Sequence, residues 1–182
     1  MNKKFLASMI LPLLAWGCAA IEPIEVREQI YGKAAPVISQ SFASKQMRPG
    51  DTWKVYLLAS SPEGQMKNIV CTIEQPGVGT YPVSLIKIKA GEQKQLSGYI
   101  YLNTVGVRNL NFVNLTLTVQ IQDQAGHYSQ PAVFPLAFNI RFQQEPPPPG
   151  VYPEKDLGPI MIDLSSIGDE DRPSIFRRRI FP

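Results

Sequence analysis

The stretch Asn114-Leu115-Thr116-Leu117-Thr118-Val119-Gln120-Ile121-Gln122 alternates polar and apolar side chains without a break. A period of two residues is that of a β-strand, in which successive side chains point to opposite faces. One face would be wholly aliphatic, and the other would consist of threonine and side-chain amides. This stretch therefore predicts a strand of a packed antiparallel sheet, with one face in the core and the other facing water.

Similar runs occupy most of the chain between residues 36 and 144. They predict strands over residues 37–42, 53–59, 66–74, 81–89, 95–102, 114–122 and 134–142. In the last of these, Phe134, Phe138, Ile140 and Phe142 would share a face. Turns with proline or glycine separate several of the runs, and no amphipathic helix lies between them. About seven strands in about 110 residues predict an all-β antiparallel sandwich.

Two turns extend this prediction to a family. The segment from Asp123 through Gly126 and His127 to Ser129 resembles the D-x-x-G-x-x-S turn before the final strand of bacterial immunoglobulin-like domains. Residues 60–65 resemble the D-P-D-G-D turn of the same domains, some of which bind calcium. Here Glu63 is the only carboxylate in that turn, and one carboxylate cannot supply a shell of six to eight oxygens. The resemblance implies an immunoglobulin-like fold without the metal.

The N-terminus begins with Lys3 and Lys4, followed by about twelve mostly apolar residues. That run is too short to cross a bilayer, which takes roughly twenty residues, so it predicts a secretory signal peptide over residues 1–17. The run ends in Ala15-Trp16-Gly17-Cys18, which resembles the lipobox of bacterial lipoproteins. The resemblance implies cleavage before Cys18 and acylation (palmitate or a similar chain) of its thiol, with an ordinary signal peptide and an incidental cysteine as the alternative. Ala19 after the cysteine implies transport to the outer membrane in a cell that has one.

Composition limits the partners of the processed chain. Cleavage would remove two of the 18 basic residues and leave 16 against 15 acidic ones, so the charge would be close to neutral. A near-neutral chain lacks the basic footprint of a nucleic-acid-binding protein, and we predict no nucleic-acid partner. Cys71 would remain without a cysteine partner. It lies in an alternating run, so we expect a buried, inert thiol rather than an intermolecular disulfide.

The sequence contains no pattern that predicts catalysis or a cofactor. The one histidine, His127, lies in a turn without a neighbouring cysteine, and we expect it to be solvated there. No nucleophile elbow or phosphate-binding loop is present. We therefore predict a protein that is not an enzyme. Three tyrosines, Tyr56, Tyr99 and Tyr101, are an alternative ligand platform for a glycan, although partial burial at a sheet edge or under a loop is the commoner fate of such rings.

Both flanks of the sandwich differ from it in composition. Residues 18–35 predict a lipidated tether, with one weak helical turn near residues 24–30. Residues 145–157 contain four consecutive prolines and predict an extended spacer. Residues 158–182 are too few to fold alone and predict an interaction tail. These boundaries imply that a sandwich of residues 36–144 stays folded when the chain ends at Gln144.

The tail is unusually apolar for a solvated end, so we expect a surface to cover it. Residues 160–164 would add as a strand to an exposed edge of this sandwich or of a partner protein, whereas residues 177–181 would favour an anionic membrane surface. Of these two we favour docking to a protein. The predicted contact residues are Ile160, Met161, Ile162, Leu164, Arg177, Arg178, Arg179 and Phe181.

These patterns together predict a non-catalytic, lipid-anchored envelope protein. It would serve as a scaffold or docking subunit of an envelope complex, attached to the membrane through Cys18 and to an envelope protein through its domain and tail. The alternative function is a surface adhesin or carbohydrate-binding module that uses the three tyrosines.

Overall fold

The computed structural model describes residues 22–63, 65–107, 110–162 and 164. The described residues form one helix of two turns, a short 3₁₀ turn at Ala90–Glu92 and ten strands. The helix is α1 (Ile24–Tyr31), and the strands are β1 (Val37–Ala43), β2 (Gln46–Met47), β3 (Thr52–Ser60), β4 (Met66–Gln75), β5 (Gly79–Thr80), β6 (Ser84–Lys87), β7 (Gln95–Asn103), β8 (Asn114–Asp123), β9 (Ala132–Phe138) and β10 (Asp156–Pro159).

The strands form two sheets that face each other across one core. The four-stranded sheet has the order β1-β3-β7-β10, and the six-stranded sheet has the order β2-β9-β8-β4 with both β5 and β6 paired to β4. Most pairs are antiparallel; β10 runs parallel to β7 and β2 runs parallel to β9. The predicted all-β sandwich is confirmed.

The alternating stretch on β8 forms the middle of this core. Its four aliphatic side chains, from Leu115 to Ile121, are at most 1% exposed, and Trp53, Leu57 and Ile100 face them from the other sheet. Each such side chain contributes roughly 1.5–3 kcal/mol through burial. The Trp53 indole N–H donates to the backbone oxygen of Ser44 at 2.8 Å, so its one polar atom is satisfied.

Cys71 lies fully buried within the same core. Burial raises the pKa of its thiol to about 12, because the surrounding apolar side chains cannot solvate a thiolate. The predicted burial of this thiol is confirmed.

The last predicted sandwich strand is shorter than its alternation implies. β9 ends at Phe138, and the chain turns at Asn139, whose backbone oxygen accepts from the Phe142 N–H at 3.0 Å. The Asn139 side chain also accepts from the Arg141 N–H at 2.9 Å. The prediction that Ile140 extends the buried face was wrong, and its side chain is 71% exposed. An asparagine that bonds its own following backbone ends the strand in spite of the apolar pattern.

The C-terminal region belongs to the folded domain as far as Leu164. Residues 156–159 form β10, and Leu157, Ile160 and Leu164 are 9%, 4% and 6% exposed within the common core. The expectation that the sandwich is complete at Gln144 was wrong, because the chain after it supplies an edge strand and part of the core. The strand that adds to an edge is residues 156–159 rather than the predicted 160–164, and it pairs with β7 of the chain's own sandwich.

Helix α1 lies in the segment predicted as a tether, at the place of the predicted helical turn. None of its eight residues is buried. Across the described ranges, no helix has the length and apolar character that crossing a membrane requires.

Candidate functional site

The two outer faces of the sandwich differ in whether the chain covers them. On the four-stranded sheet, the outward side chains of Phe42, Lys54 and Tyr56 lie beneath residues 144–155, which we call the strap. Outward side chains of the six-stranded sheet have no such cover from the described residues and form what we call the open face. The open face consists of Val70, Thr72, Leu85, Thr116, Thr118, Gln120, Val133 and Pro135.

Strand register places these side chains in rows across the sheet. Thr72 pairs with Thr118, which pairs in turn with Val133, so the three lie side by side on neighbouring strands. Val70 lies between Leu85 and Gln120 in the next row. At a strand spacing of about 4.8 Å and a rise of about 3.4 Å per residue, four strands and five positions make an area of roughly 14 by 14 Å.

The centre of the open face has no charge. The ionisable outward residues of these strands are Lys67 and Glu74, at the two ends of β4, and Lys87, at the end of β6. At the end of the face where Lys67 and Lys87 lie, Asn68 donates to Gln122 at 3.1 Å, and Gln122 donates to the Tyr128 hydroxyl at 2.8 Å. Val133 and Leu85 are 56% and 60% exposed. A centre of threonine and aliphatic side chains with charges only at its rim shares one feature with protein-binding surfaces, the depletion of charged residues at the core.

Beneath the strap, aromatic rings form a row across the opposite sheet. Phe42 pairs with Tyr56, and Tyr56 pairs with Tyr99. The strap places Tyr152 over this row, with its ring centroid 5.5 Å from that of Tyr56. The Lys54 ammonium lies 4.3 Å from the centroid of the Tyr99 ring. The rings of this row therefore already have partners within the chain.

Glu154 fixes the strap to the sheet. Its carboxylate accepts from the Lys54 ammonium and from the Tyr56 hydroxyl, both at 2.6 Å. The Lys54 hydrogen bond, followed by that of Tyr56, lowers the pKa of Glu154. Burial, with a further contribution from Glu154, raises the pKa of Tyr56 above its ordinary value, so the phenol stays protonated and donates.

Of the predicted tyrosine platform, the structure keeps only part accessible. Tyr56 is 4% exposed, and Tyr99 and Tyr101 are half-buried. Tyr101 lines a groove of about 530 Å³ together with Asn103 and residues 159–162. The structure therefore does not bring the three rings together as one exposed surface, since Tyr56 is buried beneath the strap.

The predicted tail contacts are also divided. Ile160 and Leu164 are buried in the chain's own sandwich and are inaccessible to a partner in this fold, and Ile162 is half-buried. Met161 is 74% exposed beside the Tyr101 groove. Cys18 and the predicted contacts Arg177, Arg178, Arg179 and Phe181 lie outside the described residues.

His127 is not the solvated turn residue that we expected. Its side chain is 18% exposed, with Nδ1 3.0 Å from Asp123 Oδ2 and Nε2 3.0 Å from Glu28 Oε1. The turn that resembles the immunoglobulin-like motif builds one half of this arrangement, since Asp123 Oδ1 accepts from the N–H groups of Gly126 and His127 at 2.6 and 2.7 Å. Helix α1 supplies the other half. Among the residues that the structure describes, no group of His, Cys, Asp and Glu side chains is placed to hold a metal ion.

The chain shows no similarity that names a function. No protein-family model matches it, and no curated protein matches it.

Proposed function

We propose that this protein is a non-catalytic, lipid-anchored envelope protein whose immunoglobulin-like sandwich docks a partner protein close to the membrane. The observation that carries the docking function is the contrast between the two outer faces. The chain covers the aromatic face with its own strap and leaves the flat, uncharged face of β4, β6, β8 and β9 open. An exposed β-branched surface without central charges is suited to packing against another flat protein surface.

Strand order supports the immunoglobulin-like assignment. The neighbours β1-β3-β7 correspond to strands A, B and E of that fold, and β9-β8-β4 correspond to G, F and C. β10 lies beside β7, where constant-type immunoglobulin domains have strand D, but it runs parallel to its neighbour. In this interpretation the C-terminal segment takes the place of an internal strand.

The envelope location rests on the lipobox resemblance at Cys18. An exported chain acylated there would be held at a bilayer, because each buried methylene contributes roughly 0.8 kcal/mol and two or three acyl chains add together. The outer membrane remains the proposed destination. The arginines at 177–179, with Phe181, remain a proposed second contact, beyond the part of the tail that the domain uses for its own core.

The geometry favours docking over the alternative carbohydrate function. A sugar stacks on an exposed ring face, and Tyr56 offers none, while the Lys54 ammonium already occupies a face of Tyr99. Only Tyr101, at its groove, keeps an accessible ring for that role.

Two exposed valines on opposite sheets give a matched test of the open face. Val133 is 56% exposed on β9, and Val37 is 54% exposed on β1. We expect V133E to lower recovery of the envelope partner in a cross-linking pull-down more than tenfold, because an unpaired carboxylate in a dry interface costs upwards of about 2 kcal/mol. V37E should retain the partner. Both changes should leave the free energy of unfolding within about 0.5 kcal/mol of the wild type, as measured by urea denaturation.

Equal recovery from V133E and the wild type would refute docking through the open face. Loss from V37E alone would place the contact on the β1 edge instead.

A further inference from the structure

Helix α1 is joined to the sandwich through polar contacts. None of its residues is buried, and the contacts that connect it to the far end of β8 come from two neighbouring side chains, Arg27 and Glu28. The Arg27 guanidinium lies against Gly126, 3.1–3.4 Å from the point where a Cβ of that residue would lie. Glu28 meets the ring of His127. A helix without apolar burial depends on such contacts for its position.

The contacts of Asp123 determine which nitrogen of His127 carries the first proton. Asp123 is 4% exposed, and its Oδ1 is occupied by the two backbone N–H groups of the turn. Its Oδ2 faces Nδ1 of the ring, and a carboxylate can only accept there. Nδ1 therefore bears a proton in both the neutral and the cationic ring.

The second nitrogen then distinguishes the two states. In the neutral ring, Nε2 would present a lone pair to the Glu28 carboxylate at 3.0 Å, and two acceptors at that distance repel. In the imidazolium, Nε2 donates a charge-assisted hydrogen bond to the same oxygen. The hydrogen bond between Glu28 and His127 therefore exists only when both ring nitrogens are protonated.

We propose that His127 and Glu28 form a proton-dependent latch, which holds α1 on the sandwich while the ring is an imidazolium and releases the helix when Nε2 loses its proton. The charged groups that face this latch are Asp123 from β8, Arg27 and Glu28 from α1, and Glu63, whose side chain lies against Gly32 at the end of the helix. The two carboxylates that contact the ring thus outweigh the one nearby cation.

The direction of the pH dependence follows from these contacts. The hydrogen bond to Glu28, followed by that to Asp123, raises the pKa of His127 above its ordinary 6.5. A raised pKa means that the latch is fully closed below about pH 6.5 and opens as the pH rises through the folded-state value. If Cys18 is the membrane anchor, as proposed above, release also lengthens the tether. Eight helical residues that become extended add about 14 Å.

NMR titration tests the latch directly, because the sequence contains one histidine and its ring protons give isolated signals. In the full processed chain, we expect the amide signals of α1 to lose their helical shifts with the same midpoint as the His127 ring. E28Q should abolish this transition in α1, because a neutral amide can donate to the unprotonated Nε2. The same change should lower the His127 midpoint by about one pH unit. E25Q, an exposed glutamate on the same helix, is the matched control and should titrate like the wild type.

Two results would overturn the latch. One is an α1 whose signals do not move from about pH 5.5 to about pH 9 while His127 titrates. The other is identical behaviour of E28Q and E25Q. Neither result bears on docking by the open face, which the valine variants test separately.

Discussion

A chain that ends at Gln144 is expected to lose most or all of its stability. It lacks β10 and the buried side chains Leu157, Ile160 and Leu164. At roughly 1.5–3 kcal/mol for each side chain, the lost burial amounts to about 5–9 kcal/mol. Domains of this size are stable by about 5–15 kcal/mol in total. We expect urea denaturation of the shortened chain to show either no folded baseline or a midpoint far below that of the full chain.

A chain that ends at Leu164 is the control for this truncation. It keeps the strand and all three buried side chains, so its denaturation midpoint should match that of the full chain. If the chain ending at Gln144 unfolds at the same urea concentration as the full chain, β10 is not part of the stable core. The distinction also governs experiments on the tail, because a deletion at Gln144 would remove a partner contact and unfold the domain together.

Replacing Gly98 by alanine is expected to cost about 2–4 kcal/mol, which is a fall in melting temperature on the order of 10 °C. Gly98 has a φ of 152°, and the Lys155 carbonyl occupies the space that a Cβ would take. That carbonyl accepts from the Tyr99 N–H at 2.8 Å, so it cannot withdraw without breaking the pairing of the C-terminal segment with β7. The Leu157 side chain approaches the same point to 3.0 Å. Thermal denaturation followed by circular dichroism measures the effect.

Gly91 provides the comparison for this substitution. Nothing lies within 4 Å of its would-be Cβ, and its φ is not in the left-handed region. We expect G91A to be nearly neutral. Similar melting temperatures for G98A and G91A would contradict the close approach of the C-terminal segment to β7.

The sequence was sufficient to predict the strands whose burial has a clear period. β7 and β8 alternate between a buried and an outward side chain over nine or ten residues, and β3 does so except at Tyr56, whose outward ring is buried under the strap; that signal is local. β10 has no such signal. Four residues that include a glycine and a proline become a strand because Gly98, more than fifty positions earlier, leaves space for the chain beside β7. Pairing of this kind depends on a distant backbone, which a local pattern does not encode.

The functional surfaces also differ in how far a local sequence pattern predicts them. The open face follows from the β8 pattern, since the threonines and glutamines that point away from the core belong to the alternation itself. The strap was missed because proline-rich composition predicts an extended chain without indicating what it crosses. Only one half of the site at His127 could be predicted from the sequence. The turn motif contains Asp123 and Gly126, whereas Glu28 lies 99 residues away from the histidine. Single-residue contacts between distant segments have no signature in one sequence.

The structure also changes how the proposed contact surfaces are understood. Residues 160–164 were predicted to dock on this sandwich or on a partner, and Ile160 and Leu164 lie in the domain's own core, together with Leu157 from the predicted spacer. The remaining candidates are the open face, the exposed Met161 and the predicted contacts at 177–181, which lie outside the described residues. The C-terminal segment provides the fourth strand of one sheet, at its edge, and the outer face of the other sheet stays available for a partner.

The proposed function depends most on the predicted anchor at Cys18, which would place the sandwich at a membrane. The most direct test is the intact mass of the protein isolated from membranes, compared with the C18S variant. We expect a chain that begins at Cys18, lacks residues 1–17 and carries the added mass of acyl chains. We also expect that C18S leaves the membrane fraction or keeps its leader. An unmodified Cys18, with equal membrane recovery of the wild type and C18S, would contradict the lipid-anchored envelope function.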